Sequence, residues 1–176
     1  MSSTAIQDQV DRTLIVDQVF RYMKALDTLD TNLLSSVVTE PFHMHAEQLN
    51  LDGPITGDDY YKMGPGVFLP GFDHTAHLIH NAMVSLSGDT AHVHTLLYAC
   101  HYIKPDDRVG ADILEVPDAG IHCNMQMPWE GWLTRQADGG WLFHKIHMDV
   151  SVTEGDIKAF DISLERSQSG WHRPKK

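Results

Sequence analysis

Cysteine and positive charge are both scarce in this chain. There are 2 cysteines, Cys100 and Cys123, and their wide spacing excludes a disulfide framework or a zinc knuckle. Both sit in apolar runs, where a cysteine behaves as a small buried hydrophobe. Lysine and arginine total 13 against 24 acidic residues, a formal net charge of -11. That balance leaves no basic face for nucleic acid and no attraction to anionic membrane surfaces, so neither partner is expected. Its plain consequence is solubility. No apolar run approaches the ~20 residues of a membrane span. Met1 to Gln9 is polar and lacks a basic region followed by an apolar one, so no signal peptide is expected and a cytoplasmic location is the default. A glycine-rich phosphate loop, a dinucleotide fingerprint and a Gly-x-Ser-x-Gly elbow are also missing. Gly64-Pro65-Gly66 lacks the strand and helix that such a loop needs, and no organic cofactor is expected.

What is present suits one globular domain. The chain has 176 residues, 42% hydrophobic and 21% charged, enough for a core without a metal or disulfide staple. We read residues 1–176 as a single domain with its core over about 4–165. Ile6, Val10, Leu14, Val19, Met23 and Leu26 recur at helical spacing and predict a long amphipathic helix over Thr4–Leu26. Asp8 and Asp11 fall early in it, where the helix dipole favours them. Asp30-Thr31-Asn32 restarts a short helix, Leu33–Val38, ended by Pro41. Phe42–Ala46 alternates like a strand, Asp52-Gly53-Pro54 reads as a turn, and Gly57–Lys62 as a third helix. Gly64–Gly71 is rich in glycine and proline and reads as a loop over a pocket mouth.

Strands dominate the rest: His74–Ser85, Ala91–Lys104, Ile121–Gln136 and Trp141–Val152. Ser87-Gly88-Asp89 and Ala137–Gly140 supply turns, and Pro105–Gly120 a polar loop. Gly155–Leu164 reads as a terminal helix, and Ser167–Lys176 as a polar, frayed tail. Helices followed by a strand meander make an α+β architecture, with helices packed on one face of a curved antiparallel sheet.

Four short motifs sharpen this order: Ala25-Leu26-Asp27-Thr28-Leu29-Asp30, His74-Thr75-Ala76-His77-Leu78-Ile79-His80-Asn81, Leu86-Ser87-Gly88-Asp89-Thr90-Ala91-His92-Val93, and Asp138-Gly139-Gly140-Trp141. With them the chain resembles the nuclear transport factor 2-like superfamily, in particular its SnoaL-like and scytalone dehydratase-like members. The resemblance implies a cone in which the helices and a strongly bent sheet enclose a hydrophobic pocket. It also implies that Asp27, at the end of the first helix, pairs with His77 as an acid-base dyad. His101 matches a second dehydratase histidine. Two tyrosines of the dehydratases are not matched: Leu26 stands at one position, and the other falls near His43 or His45. Members of the superfamily often assemble as dimers or trimers through the outer face of the sheet, so a homo-oligomer is expected.

Strand alternation tests the constellation independently. If His77 points inward, so do Ile79, Asn81 and Met83. The inward set of the next strand is then Ala91, Val93, Thr95, Leu97, Ala99 and His101. A carboxylate fixes the tautomer of a histidine and stabilises its protonated form, which makes a base. Read alone, Asp27 is an ordinary helix-end polar residue, and His77 and His101 are hydrogen-bonded core histidines. Tyr22, one turn before Asp27, is a candidate for the unmatched tyrosine or a core residue. His45, Asn81, Thr95, Asn124 and Trp129 are further candidate substrate contacts.

There are 12 histidines, and His43-x-His45 and His92-x-His94 each place two imidazoles on one strand face. That pattern suits some metal sites. The glutamate that a cupin carries after such a pair is missing, and we assign no metal. The resemblance implies a cofactor-independent lyase of the dehydratase type, acting on a small, mostly apolar, cyclic hydroxy-ketone or polyketide- or terpenoid-like molecule. An isomerase or cyclase using the same base is the alternative. A non-catalytic ligand carrier or oligomerisation module is the alternative of another class.

Overall fold

The computed structural model describes residues 3–105, 119–171 and 173. Helix α1 spans Ser3–Thr28 and α2 spans Thr31–Ser35, begun by Asp30, whose side chain accepts the Leu33 N–H. Strand β1 covers Val38–Ala46; a 3-10 turn at Glu47–Leu49 leads into β2, Leu51–Ile55. Helix α3, Gly57–Met63, is capped by the Thr56 side chain, and α4, Pro65–Phe68, follows at once. Three long strands form the meander: β3 His74–Ser87, β4 Thr90–Ile103 and β5 Ile121–Arg135. Strand β6, Trp141–Met148, short β7, Val152–Gly155, and α5, Lys158–Gln168, complete the described chain. No helix among the described residues is long and apolar enough to cross a membrane.

Among the described residues the sheet has 7 strands, in the order β2-β1-β6-β5-β4-β3 with β7 pairing to β5. It is mixed rather than wholly antiparallel, because β1 runs parallel to β6. The two segments lie about a hundred residues apart, and no local turn signal joins them. One face of the sheet carries the core. Ile15, Val19, Tyr22, Met23 and Leu26 of α1 recur every three or four residues and pack with Val93, Leu97, Trp129, Leu133, Phe143 and Ile146. Each such side chain contributes roughly 1.5–3 kcal/mol on leaving water. Ile6, Val10 and Leu14 of the predicted periodicity are exposed instead, so the buried stripe is narrower than the apolar pattern. Asp11 is no dipole partner at the surface. It is buried and accepts both Nη groups of Arg135, at 2.7 and 2.8 Å, and Trp141 Nε1 at 3.2 Å.

Several boundaries depart from the expectations, each for a local reason. Val38 belongs to β1, not to the second helix, and Pro41 lies inside that strand where its register with β6 shifts. Asp52-Gly53-Pro54 is not a turn but edge strand β2, which tolerates proline because one side needs no ladder donor. The reversal sits at Asn50, with φ 51. The segment 64–71 is helical. It presses against α5 so closely that a Cβ on Gly71 would lie 1.9 Å from the Ser163 carbonyl oxygen, so contact rather than looseness accounts for that glycine. Strand β6 stops at Met148, and of the residues read as its end only Val152 enters a strand, β7. Helix α5 starts at Lys158 and outlasts the predicted frayed boundary, with Arg166 stacked 3.5 Å over the Trp171 ring. Most of the polar loop 105–120 lies outside the described residues.

Candidate active site

The end of α1 places Asp27 beside β3, and three donors from β3 hold its carboxylate. Oδ1 accepts from the Thr75 hydroxyl at 3.0 Å and from His77 Nδ1 at 2.7 Å, while Oδ2 accepts the His77 backbone N–H at 3.0 Å. Burial alone would raise the Asp27 pKa. The hydrogen bond and charge of the His77 imidazole, with the His77 N–H and Thr75, outweigh it and hold the carboxyl below its ordinary value. An ionised Asp27 keeps the imidazole proton on Nδ1 and leaves a lone pair on Nε2. The His77 side chain is 8% exposed, and its ring lines a cavity of about 110 Å³.

His101 lies next to it, the ring centroids 5.7 Å apart and edge to face. Its Nδ1 donates to the Cys123 carbonyl at 2.9 Å, which fixes the neutral tautomer, and Phe72 and Phe160 pack on the ring. Burial, helped by the neighbouring His77, pushes its pKa down to about 4. His101 therefore stays neutral near pH 7 and offers an acceptor, Nε2, rather than an acidic proton.

The remaining wall is apolar with a few polar handles. Leu97, Ala99, Met125, Met127 and Phe160 line it together with Tyr22, Tyr60 and Trp129. The Tyr22 hydroxyl donates to that of Tyr60 at 3.1 Å. Burial pushes the Tyr60 pKa up to about 12 and that of Tyr22 well above its ordinary value, so both keep their protons. Trp129 Nε1 is buried with no hydrogen-bond partner among the described residues, a donor left for something in the cavity.

The structure thus brings His77, His101, Tyr22 and Trp129 to one cavity, with Asp27 hydrogen-bonded to His77. Four other candidates lie elsewhere. Asn81 adopts φ 54 at a bulge in β3, where the register to β4 shifts between His80 and Met83. Both Asn81 and Met83 are exposed, and Val84 and Leu86 take the inward positions. Thr95 is fully buried and occupied by the Trp129 carbonyl. Asn124 stands on the outer face, on the alternation opposite to Cys123 and Met125. His45 also points outward, in a cluster with Asp52, His147 and Asp149.

Sequence reasoning missed three members. Thr75 was available as the residue two before His77, on the same strand face. Tyr60 lay in a helix that carried no motif. Arg173 comes from the supposedly frayed tail, yet its Nη1 donates to Thr75 Oγ1 at 2.9 Å and so buttresses the hydroxyl that supports Asp27.

This architecture and its sequence signature define the class. The SnoaL-like domain family matches residues 7–147, and the chain belongs to that family. No curated protein matches the sequence. Among solved structures, a hexachlorocyclohexane dehydrochlorinase from Novosphingobium barchaimii is 13% identical with a TM-score of 0.67, over 87% of this chain and 94% of that one. A candidate scytalone dehydratase from Novosphingobium aromaticivorans is 20% identical with a TM-score of 0.63, over 86% and 91%. A nuclear transport factor 2-like protein from Salmonella enterica is 8% identical with a TM-score of 0.61, over 86% and 94%. At these identities the likeness is one of fold, the α+β cone of nuclear transport factor 2-like proteins.

Proposed function

We propose that this protein is a cofactor-independent lyase of the dehydratase type, with His77 as its base. The observation that carries this reading is the 2.7 Å Asp27–His77 hydrogen bond, with the His77 ring on the wall of an apolar cavity. That separation lies within the ~2.6–3.2 Å expected of a base and its orienting carboxylate. His77 Nε2 takes a proton from a carbon next to a carbonyl. The electron pair moves toward the carbonyl as an enolate and then expels a hydroxyl from the neighbouring carbon. That hydroxyl leaves as water, carrying the proton back from the His77 imidazolium, which restores the neutral base. Asp27 stabilises the imidazolium while it exists.

His101 matches a dehydratase histidine, and its charge state supports the part of an acceptor rather than an acid. Neutral, with Nδ1 already donating, it accepts a hydrogen bond from the substrate hydroxyl at Nε2 and adds no charge that would oppose protonation of His77. Trp129 Nε1 and Tyr60 are donors for the carbonyl. A cavity of about 110 Å³ is near the ~150 Å³ apolar site that takes a benzene ring, so the substrate is a single ring or its equivalent. Isomerase and cyclase chemistry would use the same base and return the proton to another carbon. The dehydrochlorinase and dehydratase among the structural neighbours favour elimination.

Exchange of the α-protons of small cyclic ketones in deuterium oxide, followed by NMR, tests the base without knowledge of the substrate. Catalysed exchange that disappears in His77→Gln supports the reading, and loss of water from the matching β-hydroxy-ketones marks a dehydratase. Exchange at the uncatalysed rate, or unchanged in the variant, overturns it and leaves a ligand carrier. Self-association belongs to the same proposal: Leu78, Met83 and Leu96 are exposed on the outer sheet face. Light scattering is expected to give a dimer or trimer that Leu96→Glu dissociates.

A further inference from the structure

A second cluster of titratable side chains occupies the outer face of the sheet. His45 and His147 are register partners across the parallel β1–β6 pair, their ring centroids 4.4 Å apart and the planes at 85°. Asp149 follows β6 and reaches both: its Oδ2 lies 2.8 Å from His147 Nε2 and 3.3 Å from His45 Nε2. One donor atom from each residue falls within 4.8 Å of the others.

Neighbouring groups hold these side chains in one orientation. Asp149 Oδ1 accepts the Glu47 backbone N–H at 3.0 Å, which leaves Oδ2 turned toward the imidazoles. The other nitrogen of His45, Nδ1, lies 3.3 Å from Asp52 Oδ1. A carboxylate there keeps the proton on Nδ1 and the lone pair on Nε2, the arrangement that accompanies metal-bound histidines. Asp52 Oδ1 is itself held by His43 Nε2 at 2.9 Å.

We propose that His45, His147 and Asp149 form a binding site for one divalent transition ion of the zinc class, fastening β1 to the end of β6. Two imidazoles and a carboxylate suit zinc, nickel or copper and are poor for the all-oxygen preference of calcium or magnesium. Tetrahedral bonds of about 2.0–2.2 Å place neighbouring ligand atoms about 3.3–3.5 Å apart. The His45 Nε2 to Asp149 Oδ2 separation of 3.3 Å already matches, and the His147 contact opens by about half an ångström. The three side chains are 34%, 37% and 34% exposed, so an ion reaches them from solvent and water completes its coordination. Sequence spacing pointed to pairs two apart on one strand. The pair that converges here comes from two parallel strands.

The site backs onto the cavity. Gln48 and Leu49, in the turn that Asp149 anchors through Glu47, line the cavity, and so do Met148 and Val150 on either side of Asp149. An ion would stiffen that wall from behind, and its binding does not depend on the chemistry of His77.

Isothermal titration of the untagged full-length protein with zinc sulfate, paired with thermal melts in zinc, magnesium or EDTA, tests the site. The expected result is about one zinc per chain and a melting temperature several degrees higher in zinc than in magnesium or EDTA. His147→Gln and, separately, His45→Gln abolish both signals, Asp52→Asn weakens affinity about 10-fold or more, and a His92→Gln/His94→Gln double variant keeps them. Absence of stoichiometric binding overturns the proposal. So does zinc binding that survives in whichever of the two single histidine variants folds, because the ion then sits elsewhere.

Discussion

Two aspartates on one helix meet different fates. Asp11, in the first half of α1, is sealed by Arg135 and Trp141, and the Arg135 guanidinium also lies 4.4 Å from the Trp141 ring. Asp27, four turns later, is held equally well, but by a threonine and a histidine. Arginine never gives up its proton, so the first network holds charge in place and does no proton chemistry. A histidine can give up its proton, which is what the proposed function asks of the second network. Partner identity makes one carboxylate a fastening and, under the proposed function, turns the other into half of a base.

That contrast predicts a double dissociation. His77→Gln is expected to lower α-proton exchange by about 10²–10⁴-fold, measured by NMR, while leaving urea stability nearly unchanged, because the glutamine amide still donates to Asp27. Asp11→Ala is expected to do the opposite. It leaves the Arg135 guanidinium beneath Trp141 with Asp89 alone, at 3.0 Å from its Nε, and costs about 3 kcal/mol in urea denaturation, with the exchange rate per folded molecule preserved. If Asp11→Ala slowed exchange as strongly as His77→Gln, the two ends of α1 would not be separable.

Acid sharpens the comparison further. The hydrogen bonds from Arg135 hold the Asp11 pKa at about 2, against an ordinary 3.8. The unfolded chain therefore takes up this proton first. The contribution, roughly 2 kcal/mol, is complete above pH ~4 and is lost as the pH falls toward 2. Asp11→Asn is expected to flatten that part of a pH series of urea midpoints. His101 supplies a second dependence, over a milder pH range. Its folded pKa of about 4 lies below the ordinary 6.5, so stability present above pH 6.5 declines as the pH falls toward 4. His101→Phe, surrounded by Phe72 and Phe160, is expected to remove that slope; an unchanged slope would mean that burial does not hold the ring neutral.

The path from residues to this site was partly legible. Apolar spacing in α1 brought Asp27 to a helix end, and strict alternation in β4 identified Leu97, Ala99 and His101 as one inward row, as their burial shows. Alternation failed in β3 because a bulge leaves no compositional mark: Asn81 looks like any polar strand residue, yet its left-handed backbone reverses the faces beyond it. Gly53-Pro54 misled in the other direction, since an edge strand can carry turn residues. Pairings made at a distance were beyond reach. Nothing near His45 signals His147, and nothing in the polar tail signals that Arg173 reaches Thr75.

The bulge at Asn81 has a mechanical consequence. It works as a slip joint in the β3–β4 hairpin. The stretch from His74 to His80 keeps its own register with Leu96–Tyr102, and the stretch from Met83 to the Ser87–Thr90 tip keeps another. Changes in length or sequence at the tip can therefore be absorbed at the joint before they rotate His77 out of the cavity. The outer half of the hairpin is free to diversify, or to accept grafted segments, while the half that carries His77 stays in phase.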